Sequence, residues 1–210
     1  MENPVNKLIC YNKTMLNIKI IIGSTRPNRF SEHAGAWIYE IAKARTDMEV
    51  EVLDLRDYPM PFYNEPISPS YIMGEYPNPE VNNWAKKIAE ADGFIIVAPE
   101  YNRGPSAVLK NSLDSISKEW KYKAITFVGY GSVGGGRSIE QLRLNSVELW
   151  MTPTRNAVHI FEPWTLVDEK NNLKAGVLDH YEGSAIGALD NLVFLATALQ
   201  EARAKISTGK

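Results

Sequence analysis

The chain has 210 residues, a formal net charge of -2, 44% hydrophobic residues and 23% charged residues, as is typical of one globular domain. The near-neutral charge gives no electrostatic reason to expect a nucleic acid or an anionic membrane as partner, and no stretch has the ~20 apolar residues that a membrane helix requires. The single cysteine, Cys10, cannot form an internal disulfide, which favours a reducing, cytoplasmic setting.

Residues 1–16 mix polar and apolar side chains without the apolar core of a secretion signal. They are predicted to be an N-terminal extension, with packing on a partner subunit, disorder and a misplaced start codon as open alternatives. The folded domain is expected at residues 17–206.

The first half of the domain alternates strand and helix signals. Residues 17–22 form an apolar, β-branched run, and Ser31 is a plausible N-cap for a helix with apolar residues at helical spacing. A second strand is predicted over 48–55, with Val50 and Val52 inward and Leu53 and Leu55 as further candidates for inward positions. Residues 56–78 contain five prolines and predict an irregular excursion. Its tyrosines are candidates for a substrate site, a subunit interface or the core: Tyr58, Tyr63, Tyr71 and Tyr76.

The second half continues this alternation. A helix begins near Pro79, and residues 93–98 are the clearest buried strand. Helices are predicted over 106–119 and 138–150, strands over 124–130 and 157–160, and a last helix from near His180.

Five strands that alternate with helices imply parallel pairing, because each parallel connection needs a crossover that covers a face of the sheet. The prediction is an α/β fold, a three-layer α/β/α sandwich with a five-stranded parallel sheet in the flavodoxin-like order 2-1-3-4-5. In such a sheet the ligand lies at the carboxyl ends of the strands, beside the reversal between strands 1 and 3. The loops after residues 22, 98 and 130 are therefore the candidates for a binding site.

The first of these loops, residues 23–31, carries hydroxyl and guanidinium groups into a helix N-terminus. Such a loop favours an anion such as a phosphate, although an ordinary capped loop with surface arginines is the alternative. This first loop lacks the glycines of a dinucleotide fingerprint and the lysine of a Walker loop. Tightly held NAD and ATP hydrolysis are therefore disfavoured.

The other two loops suit a planar ligand. Residues 99–105 have a course restricted by two prolines and a glycine, and Tyr101 adds an aromatic surface. Residues 129–136 contain five glycines, which allow the backbone to approach a ligand closely. A tight structural turn is the alternative for both loops.

Together these motifs resemble the NADPH-dependent FMN reductase family, which includes flavodoxin-like quinone, azo-dye and chromate reductases. The matching elements are G-S-T-R-x-x-R-x-S in the first loop, P-E-Y-N in the second with Leu109-Lys110-Asn111 beyond it, and Y-G-x-x-G-G in the third. The similarity extends from about Ile18 to Ala202. Arg103 departs from the pattern, because many relatives have a small residue after P-E-Y-N.

The resemblance implies a set of FMN-binding residues. The phosphate would be held by Ser24, Arg26 and Ser31, with Arg29 as an addition. The isoalloxazine would be bordered on one side by Pro99, Glu100, Tyr101 and Asn102. Its other side would be closed by Tyr130, Ser132, Gly134 and Gly135.

The resemblance also implies an FMN-dependent NAD(P)H oxidoreductase that reduces quinones or similar small acceptors in a ping-pong cycle, with NADPH or NADH as electron donor. Homodimers or homotetramers are expected. No protein nucleophile and no metal ligand are predicted, and His33, His159 and His180 are interpreted as structural. A flavodoxin-type electron carrier and a flavin-free interaction protein on the same fold are the alternatives.

Overall fold

The computed structural model describes residues 15–207, and the predicted extension up to residue 14 lies outside the described residues. One parallel sheet runs through this part of the chain in the order β2-β1-β3-β4-β5, with β6 also paired to β4. Its strands are β1 Leu16–Ile22, β2 Met48–Asp54, β3 Gly93–Pro99, β4 Ala124–Gly131, β5 Thr152–Pro153 and β6 Val158–Phe161. The predicted fold and strand order are confirmed.

Helices cover both faces of the sheet. They are α1 Ser31–Lys43, α2 Pro79–Glu90, α3 Ala107–Asp114, α4 Gly136–Glu148 and α5 Glu182–Ser207. The central strand β3 is buried throughout, and its side chains alternate between two cores. Ile95 and Val97 pack on the side of α1 and α5, whereas Phe94 and Ile96 pack on the side of α2, α3 and α4. This alternation follows from the two-residue period of a strand buried on both faces.

The fifth position of the sheet is divided into two pieces. The short strand β5 pairs with the start of β4, and β6 pairs with its end, at the place of the predicted fifth strand. Between them, Thr154 Oγ1 contacts Thr126 Oγ1 at 2.8 Å and the Asn156 carbonyl at 2.7 Å. These buried contacts satisfy the backbone where the edge strand leaves the ladder.

Three local predictions were wrong. Ser31 is the first residue of α1 rather than its N-cap, because the turn that precedes the helix continues to Phe30. Helix α3 ends at Asp114, where Ser115 Oγ donates to the Asn111 carbonyl at 2.7 Å and competes with continued helix. Val52 is 42% exposed because β2 is the edge strand of the sheet.

The proline-rich excursion at residues 56–78 is irregular, as predicted, with short 3-10 turns at Leu55–Asp57 and Pro69–Tyr71. Asn111 clamps it to α3 by donating to the Pro61 carbonyl at 2.9 Å and accepting from the Tyr63 N–H at 3.0 Å. Tyr76 is buried in the core, whereas Tyr71 is 75% exposed. Within residues 15–207, no helix is both long enough and apolar enough to cross a bilayer.

Candidate functional site

The first and second loops meet at the carboxyl ends of β1 and β3. Ser24 Oγ lies 2.8 Å from Tyr101 Oη, and the Arg26 guanidinium lies 5.3 Å from the centre of the Tyr101 ring. Beneath this contact, the buried Ser106 Oγ donates to the Gly23 carbonyl at 2.5 Å. The first loop is thus fixed from below by the start of α3, while the exposed Arg26 remains at its surface.

The third loop joins the same group. The Glu100 N–H donates to the Tyr130 carbonyl at 3.0 Å, and the Glu100 carboxylate accepts from the Arg137 N–H at the start of α4, also at 3.0 Å. The three candidate loops therefore converge at one edge of the sheet, as the strand order requires.

A cavity of about 410 Å³ opens between the three loops. Six of the predicted residues line it: Arg26, Arg29, Glu100, Tyr101, Tyr130 and Ser132. Its far wall was missed by sequence reasoning and consists of Trp164, Val167 and Asn171, from the segment that follows β6. The sequence could have indicated this wall, because the segment after the last parallel strand leaves the sheet at the same edge as the three loops.

A second cavity of about 410 Å³ lies against the first loop and α3. Arg26 and Tyr101 line both cavities and therefore stand between them. Its other walls include Phe62, from the proline-rich excursion, and Asn111, which holds the residues on either side of Phe62.

Buried hydroxyl groups gather beneath Arg26. Tyr130 Oη and Ser31 Oγ have no hydrogen-bond partner within residues 15–207. Burial raises the pKa of Tyr130 above its ordinary value, and the neighbouring hydroxyls of Ser31, Tyr101 and Ser24 also influence it. Tyr130 is therefore a neutral donor at physiological pH. Unpartnered buried hydroxyls beside an exposed guanidinium fit a phosphate group, which accepts several charge-assisted hydrogen bonds.

Arg29 makes different contacts from Arg26. It is 3% exposed, and its guanidinium donates to the Ser24 carbonyl and, through two nitrogens, to the Asp54 carboxylate at the end of β2. Although burial opposes ionisation, hydrogen bonds from Arg29 and Arg56 hold the pKa of Asp54 well below its usual range. Arg29 thus anchors the first loop to β2, and its contact with a phosphate stays a prediction.

The second loop is a tight reversal. Tyr101 and Gly104 exchange backbone hydrogen bonds of 2.9 and 3.1 Å, and the two residues between them, Asn102 and Arg103, have φ of 50° and 70°. This pair of positive angles is that of a type I′ turn, which asparagine tolerates well. The Arg103 carbonyl accepts from Gln141 Nε2 at 2.7 Å, so α4 supports the turn.

Close backbone packing explains the glycines of the third loop. Gly134 and Gly135 have φ of 64° and 70°. A Cβ at Gly135 would lie 2.5 Å from the Tyr130 nitrogen, and one at Gly134 would lie 2.8 Å from His159 Cβ. His159 Nδ1 also lies 3.1 Å from the Gly134 carbonyl. This loop therefore requires glycine for its own shape, whatever it binds.

A histidine also holds the far wall of the three-loop cavity. His33 Nε2 lies 2.8 Å from the Asn171 carbonyl, which ties the first turn of α1 to the segment after β6. Asn171 has a φ of 62° at the tip of this segment. The contact gives His33 a structural place, in keeping with the sequence-based interpretation.

The fold and the three-loop cavity define an α/β protein of the flavodoxin-like class with a mononucleotide-sized site. Residues 16–165 match the model of a family described as NADPH-dependent FMN reductase. The chain belongs to this family. The match ends at residue 165, so the wall formed by Val167 and Asn171 lies beyond it.

Individual relatives agree with the family. An NAD(P)H-dependent FMN reductase of Schizosaccharomyces pombe is 39% identical over 126 residues, which cover 60% of this chain and 63% of that protein. An NADPH:quinone oxidoreductase of Arabidopsis thaliana is 31% identical over 171 residues, 77% of this chain and 83% of that protein. The solved structure of the NAD(P)H:(acceptor) oxidoreductase FerB from Paracoccus denitrificans aligns with a TM-score of 0.67 at 17% identity, covering 85% of this chain and 97% of that chain. At this identity the likeness concerns the fold.

Proposed function

We propose that this protein binds FMN in the three-loop cavity and uses it as an NAD(P)H-dependent reductase of quinones or similar small acceptors. The observation that carries the proposal is the convergence of the three loops over buried hydroxyls that have no partner within residues 15–207. Quinone reduction is supported by the similarity to the Arabidopsis NADPH:quinone oxidoreductase.

The phosphate would be held by hydroxyl and guanidinium donors of the first loop, Ser24, Arg26 and Ser31, with the Tyr130 hydroxyl below them. The isoalloxazine would lie between the second loop, Pro99 to Asn102, and the third, from Tyr130 through Ser132 to Gly134 and Gly135. When bound, FMN would supply the two-electron chemistry of a ping-pong cycle, with NADPH or NADH as electron donor and a quinone or similar small molecule as acceptor.

The chain's own contribution is orientation and electrostatics. Arg26 supplies a positive charge at the exposed rim, where an anionic tail is attracted. The wall containing Trp164 would cover one side of a bound ring. No side chain is required as a nucleophile, because the cofactor carries the reacting atoms.

A phosphate-specific binding test examines the site directly. Purified protein is titrated with FMN and with riboflavin, which lacks the phosphate, and flavin fluorescence reports binding. Arg26→Ala should weaken FMN binding about tenfold or more, the effect of losing a charge-assisted hydrogen bond, and should leave riboflavin binding unchanged. Lys86→Ala, an exposed position on α2, is the matched control and should change neither affinity.

Activity separates the enzyme from its alternatives. Without oxygen, the loaded protein should oxidise one equivalent of NADPH per flavin in the absence of acceptor and turn over repeatedly only when a quinone is supplied, with the parallel double-reciprocal plots of a ping-pong cycle. A flavin-loaded protein without turnover would indicate an electron carrier. Protein that takes up no FMN would contradict the proposal altogether.

We also propose a homodimer or homotetramer in the cytoplasm. The proline-rich excursion supports the assembly, because Phe62, Tyr71 and Met73 are 75%, 75% and 89% exposed. Clustered apolar side chains of this kind are typical of subunit contacts. Light scattering coupled to gel filtration measures the assembly, and a monomer at micromolar concentration would contradict it.

A further inference from the structure

The carboxylate of Glu100 connects the second and third loops. Its side chain is 4% exposed, whereas that of its partner Arg137 is 34% exposed. One oxygen accepts from the Arg137 backbone N–H at 3.0 Å, and the other lies 2.5 Å from both Nε and Nη2 of the same residue. Glu100 therefore binds the backbone and the side chain of one residue at once.

This contact caps helix α4 from a distant part of the chain. The residue before α4 is Gly135, which has no side chain to accept a hydrogen bond, and the first turn contains no acidic residue. Helix starts need such an acceptor and favour negative charge. The Glu100 carboxylate supplies both the acceptor and the negative charge, and it therefore fixes the spacing between the second and third loops.

Glu100 also lines the three-loop cavity, on the side where both loops border it. Its negative charge is balanced by the Arg137 guanidinium and by the positive end of α4. In this pair the negative group, the Glu100 carboxylate, is buried, whereas the positive group, the Arg137 guanidinium, reaches solvent. Removing Arg137 would leave an unbalanced negative charge close to the cavity, and removing Glu100 would leave an unbalanced positive charge. Screening by water is weak there.

We propose that Glu100 and Arg137 compensate each other's charge beside FMN bound in this cavity, so that the intact pair prevents either group from shifting the reduction potential. The inference rests on the proposed function. Reduction adds negative charge to the flavin at neutral pH. An uncompensated Glu100 carboxylate would disfavour reduction, and an uncompensated Arg137 guanidinium would favour it.

Two neutralising variants test the pair with opposite expected signs. Arg137→Gln should lower the two-electron potential of bound FMN, and Glu100→Gln should raise it. Each should change the ratio of reduced-flavin to oxidised-flavin affinity about tenfold, which corresponds to about 30 mV for a two-electron couple. The measurement is a spectroscopic redox titration of the bound flavin against dyes of known potential.

The design separates charge from structure. Glu100→Gln keeps an acceptor for the Arg137 N–H, so α4 stays capped. Arg137→Lys keeps the positive charge and should therefore have the parental potential. The double variant Glu100→Gln/Arg137→Gln should return close to the parent. Glu148→Gln, at the opposite end of α4, is the matched control and should cause no shift.

Each result decides the matter. Opposite shifts, with the double variant near the parent, support mutual charge compensation between Glu100 and Arg137. Shifts of the same sign, or none, overturn it and leave Glu100 as a helix cap only. Failure of the parent protein to bind FMN would instead refute the proposed function on which the inference rests.

Discussion

Replacing Asp54 with asparagine should loosen the first loop and destabilise the fold. The Asp54 carboxylate receives two guanidinium nitrogens of the buried Arg29, which also donates to the Ser24 carbonyl. Breaking a fully buried ion pair costs about 3–5 kcal/mol. Because the Asp54 side chain is 19% exposed and Arg29 retains Glu32 as a partner, we expect a smaller loss of about 2–3 kcal/mol.

The pH dependence of this effect has a definite sign. The pKa of Asp54 is held below its usual range in the folded protein, so the pair stabilises the fold above the unfolded value of about 3.9. That contribution is lost as the pH falls through the lower, folded value. The wild-type protein should therefore lose stability below pH 4 more steeply than Asp54→Asn.

Urea denaturation at pH 7 and at successively lower pH measures both effects. Asp54→Asn should lower the midpoint at an unchanged slope, and its melting temperature should fall by about 5–10 °C. Asp57→Asn, three residues along and exposed, is the matched control. The reasoning is refuted if the two variants lose equal stability, or if Asp54→Asn and the wild type respond identically to acid.

Three further predictions concern other parts of the chain. Gly135→Ala should cost about 1–3 kcal/mol, because φ is 70° and the Tyr130 nitrogen is 2.5 Å from the new Cβ, whereas Gly136→Ala meets nothing within 4 Å and should be neutral in the same urea assay. Tyr130→Phe should leave the FMN-free protein as stable as before, since the lost hydroxyl has no partner within residues 15–207, but should weaken FMN binding about tenfold in the fluorescence titration. Burial lowers the pKa of Lys123 to about 7, so between that value and the unfolded value of about 10.4 stability should rise with pH, and Lys123→Met should abolish the rise in urea midpoints measured at pH 7 and 9.

The sequence was sufficient for the fold because its signals were local. The apolar runs and the helical spacing between them specify a parallel sheet, and the chain order of the motifs then places three loops at one edge. Those loops are the ones that line the cavity.

Contacts between residues that are far apart along the chain could not be predicted from the sequence. Nothing near Glu100 reveals that its carboxylate caps α4, and nothing near Arg29 reveals that Asp54 receives its guanidinium. The incorrect N-cap at Ser31 has the same origin, since the residue type was right for a cap while the preceding turn decided where the helix began. Local propensity gives elements, and tertiary packing decides their ends.

The buried hydroxyls of Ser31 and Tyr130 have a consequence for the lifetime of the protein in a cell. If bound FMN supplies the partners of these hydroxyls, as proposed, then cofactor binding and folding are coupled. At an FMN concentration a hundred times the dissociation constant, binding would add about 2.7 kcal/mol to the free energy of unfolding. A cell short of flavin would then hold more unfolded chain, and proteolysis would match the amount of this protein to its vitamin supply.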